Sequence, residues 1–147
     1  MPRIAPFRLK SEHERMKNFY HAFIWIDHQV AKVFHFDADD NELELVHSTR
    51  PHQHLHHKKN SGDSGHAPVD KTFHERVAAA VSHAGAILIA GPAGAKTELL
   101  TQLKHAHPQI AAKVSGVETL DHPTDGELLD HARRFFKADD RMHSQIR

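Results

Sequence analysis

The chain has 147 residues, of which 39% are hydrophobic and 26% are charged, and 19 lysines and arginines balance 19 aspartates and glutamates. These values are ordinary for one globular domain with its own apolar core, and the balanced charge excludes an overall basic field that would attract nucleic acid. The chain has no cysteine, which excludes disulfides, thiol catalysis and thiolate zinc sites. Its 17 histidines would add positive charge as the pH falls, since their ordinary pKa is about 6.5.

The first 19 residues are polar and rich in basic side chains, and they predict a flexible, basic N-terminal arm over residues 1–19. They contain no apolar core of the kind that a signal peptide has, and no apolar run in the chain approaches the roughly 20 residues of a membrane-spanning helix. We therefore expect a cytoplasmic protein that makes no use of a membrane. We place its folded domain at residues 20–137 and a C-terminal tail at residues 138–147.

Three short strands follow one another at the start of this domain. The segment Tyr20–Asp27, with the sequence YHAFIWID, is dense in aromatic and β-branched residues and is typical of a buried strand. Val30–Phe36 and Glu42–Ser48 alternate apolar with polar residues, as strands with one buried face do. Short turns at HQ and DADDN join the three strands, which predicts an antiparallel meander.

The second half of the domain alternates helices and strands. A first helix begins near Asp70 and stops at Gly85, and the apolar run Ala86–Ala90 predicts a strand that is covered on both faces. Pro108 ends the second helix. The remaining predicted elements are a helix over 97–107, a strand over 114–120 and a helix over 123–138. The order βββαβαβα predicts an α/β protein with a mixed sheet on which the helices pack, which is the order of the ribonuclease-H-like fold.

Three motifs of the domain resemble a known family. They resemble the middle domain of Pelota and of the eukaryotic and archaeal class-one peptide-chain release factors. In chain order, the motifs correspond to the opening strands of that domain, to its strand–turn–helix, and to its closing strand, turn and helix. The matching segments are FIWIDHQVAKVFHF, AILIAGPAGAKTELLTQL and VETLDHPTDGELLDHA. Their order and spacing agree from Tyr20 to about Phe136, nearly the whole predicted domain. The chain is also similar to small bacterial proteins of this superfamily that are named translational machinery protein.

The resemblance implies work on the ribosome or on tRNA, with ribosome rescue and the handling of peptidyl-tRNA as candidate roles. In the release factors, the loop after the third strand carries Gly-Gly-Gln, which positions water for ester hydrolysis in the peptidyl-transferase centre. The corresponding segment here, His47–His66, has no Gly-Gly-Gln, and its glutamine, Gln53, has no glycine beside it. Peptidyl-tRNA hydrolysis would then need a histidine such as His56 or His57 as general base, and whether the chain is an enzyme stays open.

The most unusual segment of the sequence is HQHLHHKKN, which lies in a predicted mobile loop over about residues 49–68. From Ser48 to Gly62 the chain has three cationic residues, four histidines and no acid. Lysine and arginine bind phosphates, and histidine rings stack on bases or donate hydrogen bonds, so this loop predicts a contact with RNA. The residues that would make the contact are Arg50, His52, His54, His56, His57, Lys58 and Lys59.

Two other interpretations of the same loop remain. His52, His54 and His56 would lie on one side of an extended segment and could chelate zinc, nickel or copper, which makes a metal-binding module the rival function. Alternatively, the loop is a solvated connection without a ligand, and the domain docks on a protein partner without catalysis. We expect no small-molecule substrate, and no resident cofactor other than this metal.

The turn GPAGAKT after the fourth predicted strand is a candidate anion site. It is not a P-loop, because Ala95 instead of glycine precedes Lys96 and the spacing between the glycines is too short. A turn that enters a helix still offers N–H groups and the positive end of the helix dipole to a phosphate. The residues that would bind it are Gly91, Gly94, Lys96 and Thr97, and the alternative is a turn with a purely structural role.

Acidic residues raise two further possibilities. Ribonuclease-H chemistry needs acids from the first strand, the first helix and the fourth strand around two metal ions. Asp27 with Asp70 or Glu75 could supply the first two, but the fourth strand ends without an acid, so we expect Asp27 to be a turn residue and the chain not to be a nuclease. A second set, for which we favour a structural role with its first member capping the last helix, comprises Asp121, His122, Asp125 and His131.

Overall fold

The computed structural model describes residues 19–49 and 70–143, with side chains through residue 140. Within these residues, five strands form one open sheet, and helices pack on both of its faces. In chain order the elements are β1 (His21–Ile26), β2 (Val30–Phe36), β3 (Asn41–His47), α1 (Lys71–Ala80), β4 (Ala86–Gly91), α2 (Ala95–Ala106), α3 (Pro108–Ala111), β5 (Val114–Thr119) and α4 (Asp125–His143).

The sheet is mixed, with the strand order β3-β2-β1-β4-β5. β1 pairs antiparallel with β2, and β2 pairs antiparallel with β3, so the predicted meander is confirmed. On its other side β1 pairs parallel with β4, and β4 pairs parallel with β5. The α/β class and the mixed sheet are therefore those that the element order predicts.

Two apolar clusters cover the two faces of the sheet. Alternate residues of β1 enter them, since Ala22, Ile24 and Ile26 pack with α1, α2 and α3. Phe23 and Trp25 pack with α4 on the opposite face. β1 is consequently buried on both faces, which explains why its sequence is apolar from Ala22 to Ile26 instead of alternating. β4 is buried in the same way, as its apolar run predicts.

Two helical segments differ from the prediction. Pro108 follows the end of α2, as predicted, but it also begins the short α3, because its fixed φ and missing N–H suit the first turn of a helix. α4 continues to His143, beyond residue 138, where the predicted helix ends, and no glycine or proline follows Gly126 to stop it. In the part of the chain described above, none of the helices combines the length and the apolar character needed to span a lipid bilayer.

Gly85 does not end α1, and that part of the prediction is wrong. α1 ends at Ala80, and Val81 is its C-cap. The Gly85 N–H donates to the Tyr20 carbonyl at 2.7 Å, and a Cβ at this position would lie 2.1 Å from Cε1 of the Tyr20 ring. Glycine therefore stands here because the tyrosine ring lies directly against the backbone, not because a helix stops.

Candidate functional site

Four strands end at the same edge of the sheet, which we call the carboxyl edge. β1, β4 and β5 are parallel, and β3 runs in the same direction because two antiparallel pairings separate it from β1. The β1–β2 turn, the connection from Thr49 to Asp70, the β4–α2 turn and the β5–α4 turn all leave this edge. In open α/β sheets, ligands bind outside the carboxyl ends of the strands. The carboxyl edge is therefore the candidate functional site.

Hydrogen bonds hold β3 and α1 together where the β3–α1 connection begins and ends. Ser48 Oγ donates to Asp70 Oδ2 at 2.7 Å. Asp70 Oδ1 accepts from Phe73 N at 3.0 Å, so Asp70 caps α1 near the start that the sequence predicts. Arg76 Nη1 donates to the His47 carbonyl at 2.8 Å. The two ends of the connection are thus bonded to each other by side chains of the described residues.

The predicted RNA-binding and metal-binding residues lie in that connection and outside the described residues. Their RNA-binding and metal-binding roles stay predictions. The structure describes the residues on either side of them, up to Thr49 after β3 and from Asp70 before α1. These residues are Arg50, His52, His54, His56, His57, Lys58 and Lys59, with His52, His54 and His56 also predicted as metal ligands.

The four residues that are predicted to bind an anion lie at the end of β4, in the β4–α2 turn and in the first turn of α2, and each has a structural contact there. A Cβ at Gly91 would lie 2.2 Å from the Ile26 carbonyl oxygen, so glycine is what allows β1 and β4 to approach there. Gly94 is the N-cap of α2 with φ −82° and ψ −12°, a conformation that any residue can adopt. Its carbonyl accepts from Thr97 N at 3.1 Å.

Charged groups surround the start of α2. Lys96 Nζ donates to the Ala93 carbonyl at 2.5 Å. Glu98 lies in the first turn of α2, and its Oε1 is 3.2 Å from Nε2 of His28 in the β1–β2 turn. This carboxylate already interacts with the positive end of the helix dipole, and it would repel a phosphate. Anion binding at this turn stays a prediction, and a bound phosphate would have to compete with the Glu98 carboxylate for the N-terminus of α2.

The acids considered for two-metal chemistry each have a structural contact. Asp27 Oδ1 accepts from Gln29 N at 2.8 Å and from Val30 N at 2.9 Å, the contacts of a turn residue. The carboxylate of Glu75, on α1, is 2.8 Å from Nε2 of His107, and this hydrogen bond holds the pKa of Glu75 below its usual range. Within residues 19–49 and 70–140, whose side chains the structure describes, no three His, Asp or Glu side chains are grouped so that they could hold a metal ion.

Trp25 anchors the β5–α4 turn to the sheet. Its Nε1 donates to the Asp121 carbonyl at 2.9 Å, and the His122 ring meets the indole edge-on with 5.1 Å between ring centroids. Lys32 Nζ lies 5.6 Å from the centroid of the indole and also 2.7 Å from Asp125 Oδ1. The buried indole therefore fixes the position of this turn at the carboxyl edge.

The second acidic set is divided among separate partners. Asp121 Oδ1 is 2.9 Å from His122 Nδ1, and His131 Nε2 is 2.5 Å from Glu118 Oε1. Asp125 forms the ion pair with a lysine of β2 that is described above. Asp121 and His122 therefore pair with each other, whereas Asp125 and His131 pair with residues outside the set.

The cap of α4 is Thr124, and the prediction that Asp121 caps this helix is wrong. Thr124 Oγ1 accepts from Glu127 N at 3.1 Å, and Glu127 Oε1 accepts from Thr124 N at 2.9 Å. This reciprocal pair is a capping box, which the sequence Thr-Asp-Gly-Glu encodes locally. The sequence therefore contained the capping signal, at Thr124 and Glu127, closer to the helix than Asp121.

The sequence carries no signal for Ser48, Lys32 or Arg76, each of which fixes part of the carboxyl edge. Ser48 ends a predicted strand, and its partner lies 22 residues away across the histidine-rich segment. Lys32 and Arg76 occupy polar positions of a strand and of a helix, where solvated side chains are common. Asp70 did carry a signal, because it is a capping residue that precedes an apolar helical pattern.

No protein-family model matches the sequence, and no curated protein matches it. Solved structures do match its fold. Pelota of Archaeoglobus fulgidus aligns with 83% of this chain and 33% of its own length at 18% identity, with a TM-score of 0.56. Dom34 of S. cerevisiae, a translation termination-like factor involved in RNA quality control pathways and interacting with Hbs1, aligns with 85% of this chain and 36% of its own at 10% identity, with a TM-score of 0.53. The fold resembles that of Pelota and Dom34.

A second Pelota gives the same result. The protein from Thermoplasma acidophilum aligns with 81% of this chain and 36% of its own length at 14% identity, with a TM-score of 0.50. The chain therefore spans about a third of the length of these Pelota and Dom34 proteins. The similarity to Pelota, which the three sequence motifs predict, is confirmed at the level of the fold.

Proposed function

We propose that this chain is a cytoplasmic, translation-associated protein that binds the ribosome or tRNA through the carboxyl edge of a ribonuclease-H-like domain. The observation that carries the proposal is the position of the histidine-rich segment. It joins β3 to α1 at the carboxyl edge, and Ser48 and Asp70, on either side of it, are bonded to each other there. An acid-free stretch with three cationic side chains and four histidines is thus attached where sheets of this class bind their ligands.

The segment has the chemistry that RNA binding requires. Between Ser48 and Gly62 it carries three cationic side chains and four histidines without an acid. Lysine and arginine neutralise phosphates, and imidazole rings stack on unpaired bases. The proposed RNA contacts are Arg50, His52, His54, His56, His57, Lys58 and Lys59, with Gly91, Gly94, Lys96 and Thr97 as a second contact to a phosphate.

The fold supports translation as the setting. The antiparallel meander followed by parallel strands supports our proposal of a ribonuclease-H-like fold that resembles the middle domain of Pelota and the class-one release factors. Dom34 is a translation termination-like factor involved in RNA quality control pathways. By analogy of fold, we assign this chain to ribosome rescue or the handling of peptidyl-tRNA, together with the bacterial translational machinery proteins that it resembles.

Peptide release by the chemistry of the release factors does not fit this sequence, because the segment has no Gly-Gly-Gln. Hydrolysis of peptidyl-tRNA would need another group to take a proton from water, and His56 and His57 are the candidates. Binding is therefore the proposed function. A hydrolysis assay follows once binding is established.

Co-sedimentation with purified bacterial ribosomes tests the proposal. We expect the intact chain to pellet with ribosomes at low salt and to dissociate as salt rises, because phosphate contacts release counterions. A variant with residues 50–62 replaced by glycine and serine should lose at least about tenfold in affinity, because it lacks the three cationic side chains that would neutralise phosphates. Its remaining binding should also depend less steeply on salt.

A control variant removes two exposed lysines and one exposed histidine from the helices instead. The triple variant Lys104→Ser, His105→Ser, Lys137→Ser changes α2 and α4, and it should pellet like the intact chain. If the intact chain does not pellet, or if both variants lose affinity equally, the segment is not a specific ribosome contact and the proposal fails.

The second candidate function is a metal-binding module, which the alternation of His52, His54 and His56 favours. Calorimetric titration with zinc, nickel or copper separates it from the first. Stoichiometric, micromolar or tighter binding that the 50–62 replacement abolishes would favour the metal module, because binding of a metal orders its ligands. Salt-dependent ribosome binding that zinc and chelators leave unchanged would favour the RNA contact.

A further inference from the structure

The β3–α1 connection begins and ends at a set of hydrogen bonds between regular elements. Ser48 N donates to the Gln29 carbonyl, in the β1–β2 turn, at 2.9 Å. Ser48 Oγ donates to Asp70 Oδ2 at 2.7 Å, and Arg76 Nη1 donates to the His47 carbonyl at 2.8 Å. These bonds tie together the start of β2, the end of β3 and the first turns of α1.

We infer that Ser48, Asp70 and Arg76 form a clamp that holds the end of β3 to the start of α1, on either side of the histidine-rich segment, and that this clamp raises the affinity of the carboxyl edge for RNA. The inference rests on the proposed function. It adds positioning residues that lie outside the segment and need not touch RNA themselves. The clamp is defined by the Ser48–Asp70 and Arg76–His47 hydrogen bonds.

The geometry suits a clamp for two reasons. A segment whose ends are already fixed loses less conformational entropy when it binds, so more of the contact free energy appears as affinity. The Ser48–Asp70 bond is partly buried and has a charged acceptor, which makes it stronger than a bond between neutral groups. The same carboxylate accepts from Phe73 N, so α1 holds it in the orientation that meets the serine.

Spin labelling tests whether the clamp exists, independently of any RNA. The chain has no cysteine, so labels attach only where cysteines are introduced. Thr49 and Lys71 are exposed and lie at either end of the connection, and labels at these two positions report its end-to-end separation by dipolar broadening of the spectrum. We expect strong broadening in the parent and in Ser48→Thr, and weaker broadening in Ser48→Ala. Equal broadening in Ser48→Ala would overturn the clamp.

Ribosome affinity tests what the clamp does. Ser48→Ala should weaken co-sedimentation about fivefold, equivalent to roughly 1 kcal/mol, and Ser48→Thr should restore it because the hydroxyl is kept. Ser82→Ala is the matched control, since it removes a hydroxyl that donates to the Ala79 carbonyl at 3.1 Å, at the far end of α1. It should change neither affinity nor broadening.

The outcomes separate the two proposals. If the parent binds ribosomes and Ser48→Ala binds equally well, the inference fails and the proposed function stands. If the parent does not bind at all, the proposed function and the effect on affinity fail together, and the spectrum still decides whether the ends are clamped.

Discussion

Gly91→Ala should destabilise the fold by about 3 kcal/mol, whereas Gly85→Ala should cost less than about 1 kcal/mol. A Cβ at Gly91 would lie 2.2 Å from the Ile26 carbonyl oxygen, and a Cβ at Gly85 would lie 2.1 Å from Tyr20 Cε1. The two overlaps are nearly equal. The difference in expected cost comes from what has to move to relieve each of them.

At Gly91 the obstacle is backbone. Ile26 ends β1 and is fully buried. A shift of its carbonyl would separate the carboxyl ends of β1 and β4, two interior strands that lie between the two apolar clusters. At Gly85 the obstacle is the ring of Tyr20, which is 63% exposed and can turn into solvent. The cost there is limited to the contacts of one ring.

Urea denaturation of the two variants and the parent measures both free energies of unfolding. The double variant Tyr20→Ala, Gly85→Ala should lose no more stability than Tyr20→Ala alone, because the ring that causes the overlap is gone. A cost for Gly91→Ala as small as that for Gly85→Ala would mean that β1 and β4 separate easily at the carboxyl edge, which contradicts the close approach described here.

The strands could be predicted because their apolar patterns report their positions in the sheet. β1 and β4 lie next to each other in the interior of the sheet with helices on both faces, so both are apolar almost throughout. β3 is the exception, an edge strand in which Leu45 is exposed while Glu42 and Glu44 are half-buried on the same side of the strand as the buried Val46. Side-chain type therefore reports burial directly in the central strands β1 and β4, and less directly at the edge of the sheet.

The ends of the helices could not be predicted as well, because they depend on tertiary contacts. Val81 and Ala84 follow α1 and are buried, and the chain has to leave the helix there to bring Gly85 against the Tyr20 carbonyl. The local sequence is compatible with a helix that continues. α3 likewise forms where Ile110 is buried against the apolar cluster below α1 and α2.

The carboxyl edge shows the same division between local and distant contacts. The turn role of Asp27 and the capping role of Asp70 involve partners within three residues, and the sequence predicts the first of them and a helix start near Asp70. The contact of Trp25 with Asp121 spans 96 residues, and that of Ser48 with Asp70 spans 22. Both follow from the register of the strands, which a single sequence does not contain.

The domain should lose stability as the pH falls below about 6.5, in a range set by three histidines of lowered pKa. Partial or full burial lowers the pKa of His21, His74 and His83 below the ordinary value of 6.5. His74 is 3% exposed, and its Nδ1 is buried without a hydrogen-bond partner among the described residues. The pKa of His83 is lowered further by the charge of His35, whose ring stacks on it with 5.5 Å between centroids.

Opposite charges reduce these pKa shifts without cancelling them. The His21 ring packs against Phe36 and Phe136, and although Asp140 lies 3.6 Å from its Nε2, burial outweighs the carboxylate and the pKa remains lowered. The charged groups that act on the pKa of His74 are Glu98, Asp70, His28 and Glu75, and there too burial has the larger effect.

The sign follows from the binding of protons. A histidine with a lowered pKa in the folded state takes up its proton more readily in the unfolded chain, so the free energy of unfolding rises with pH in this range. The stabilisation is complete above the unfolded pKa of about 6.5 and is lost as the pH falls towards the lowered values. Each histidine contributes a slope of at most about 1.4 kcal/mol per pH unit. Glu75 acts in a lower range, because its pKa lies below 4.5.

Urea denaturation between about pH 7.5 and pH 5.5 measures this slope. His74→Leu removes one of the three histidines of lowered pKa and should flatten the slope, whereas His105→Leu, on the exposed side of α2, should leave the slope unchanged. A parent without a slope would contradict the lowered pKa of all three histidines. The same acidification adds positive charge to the histidine-rich segment, so ribosome affinity should rise while the domain becomes less stable. The 50–62 replacement should abolish the rise in ribosome affinity and keep the loss of stability.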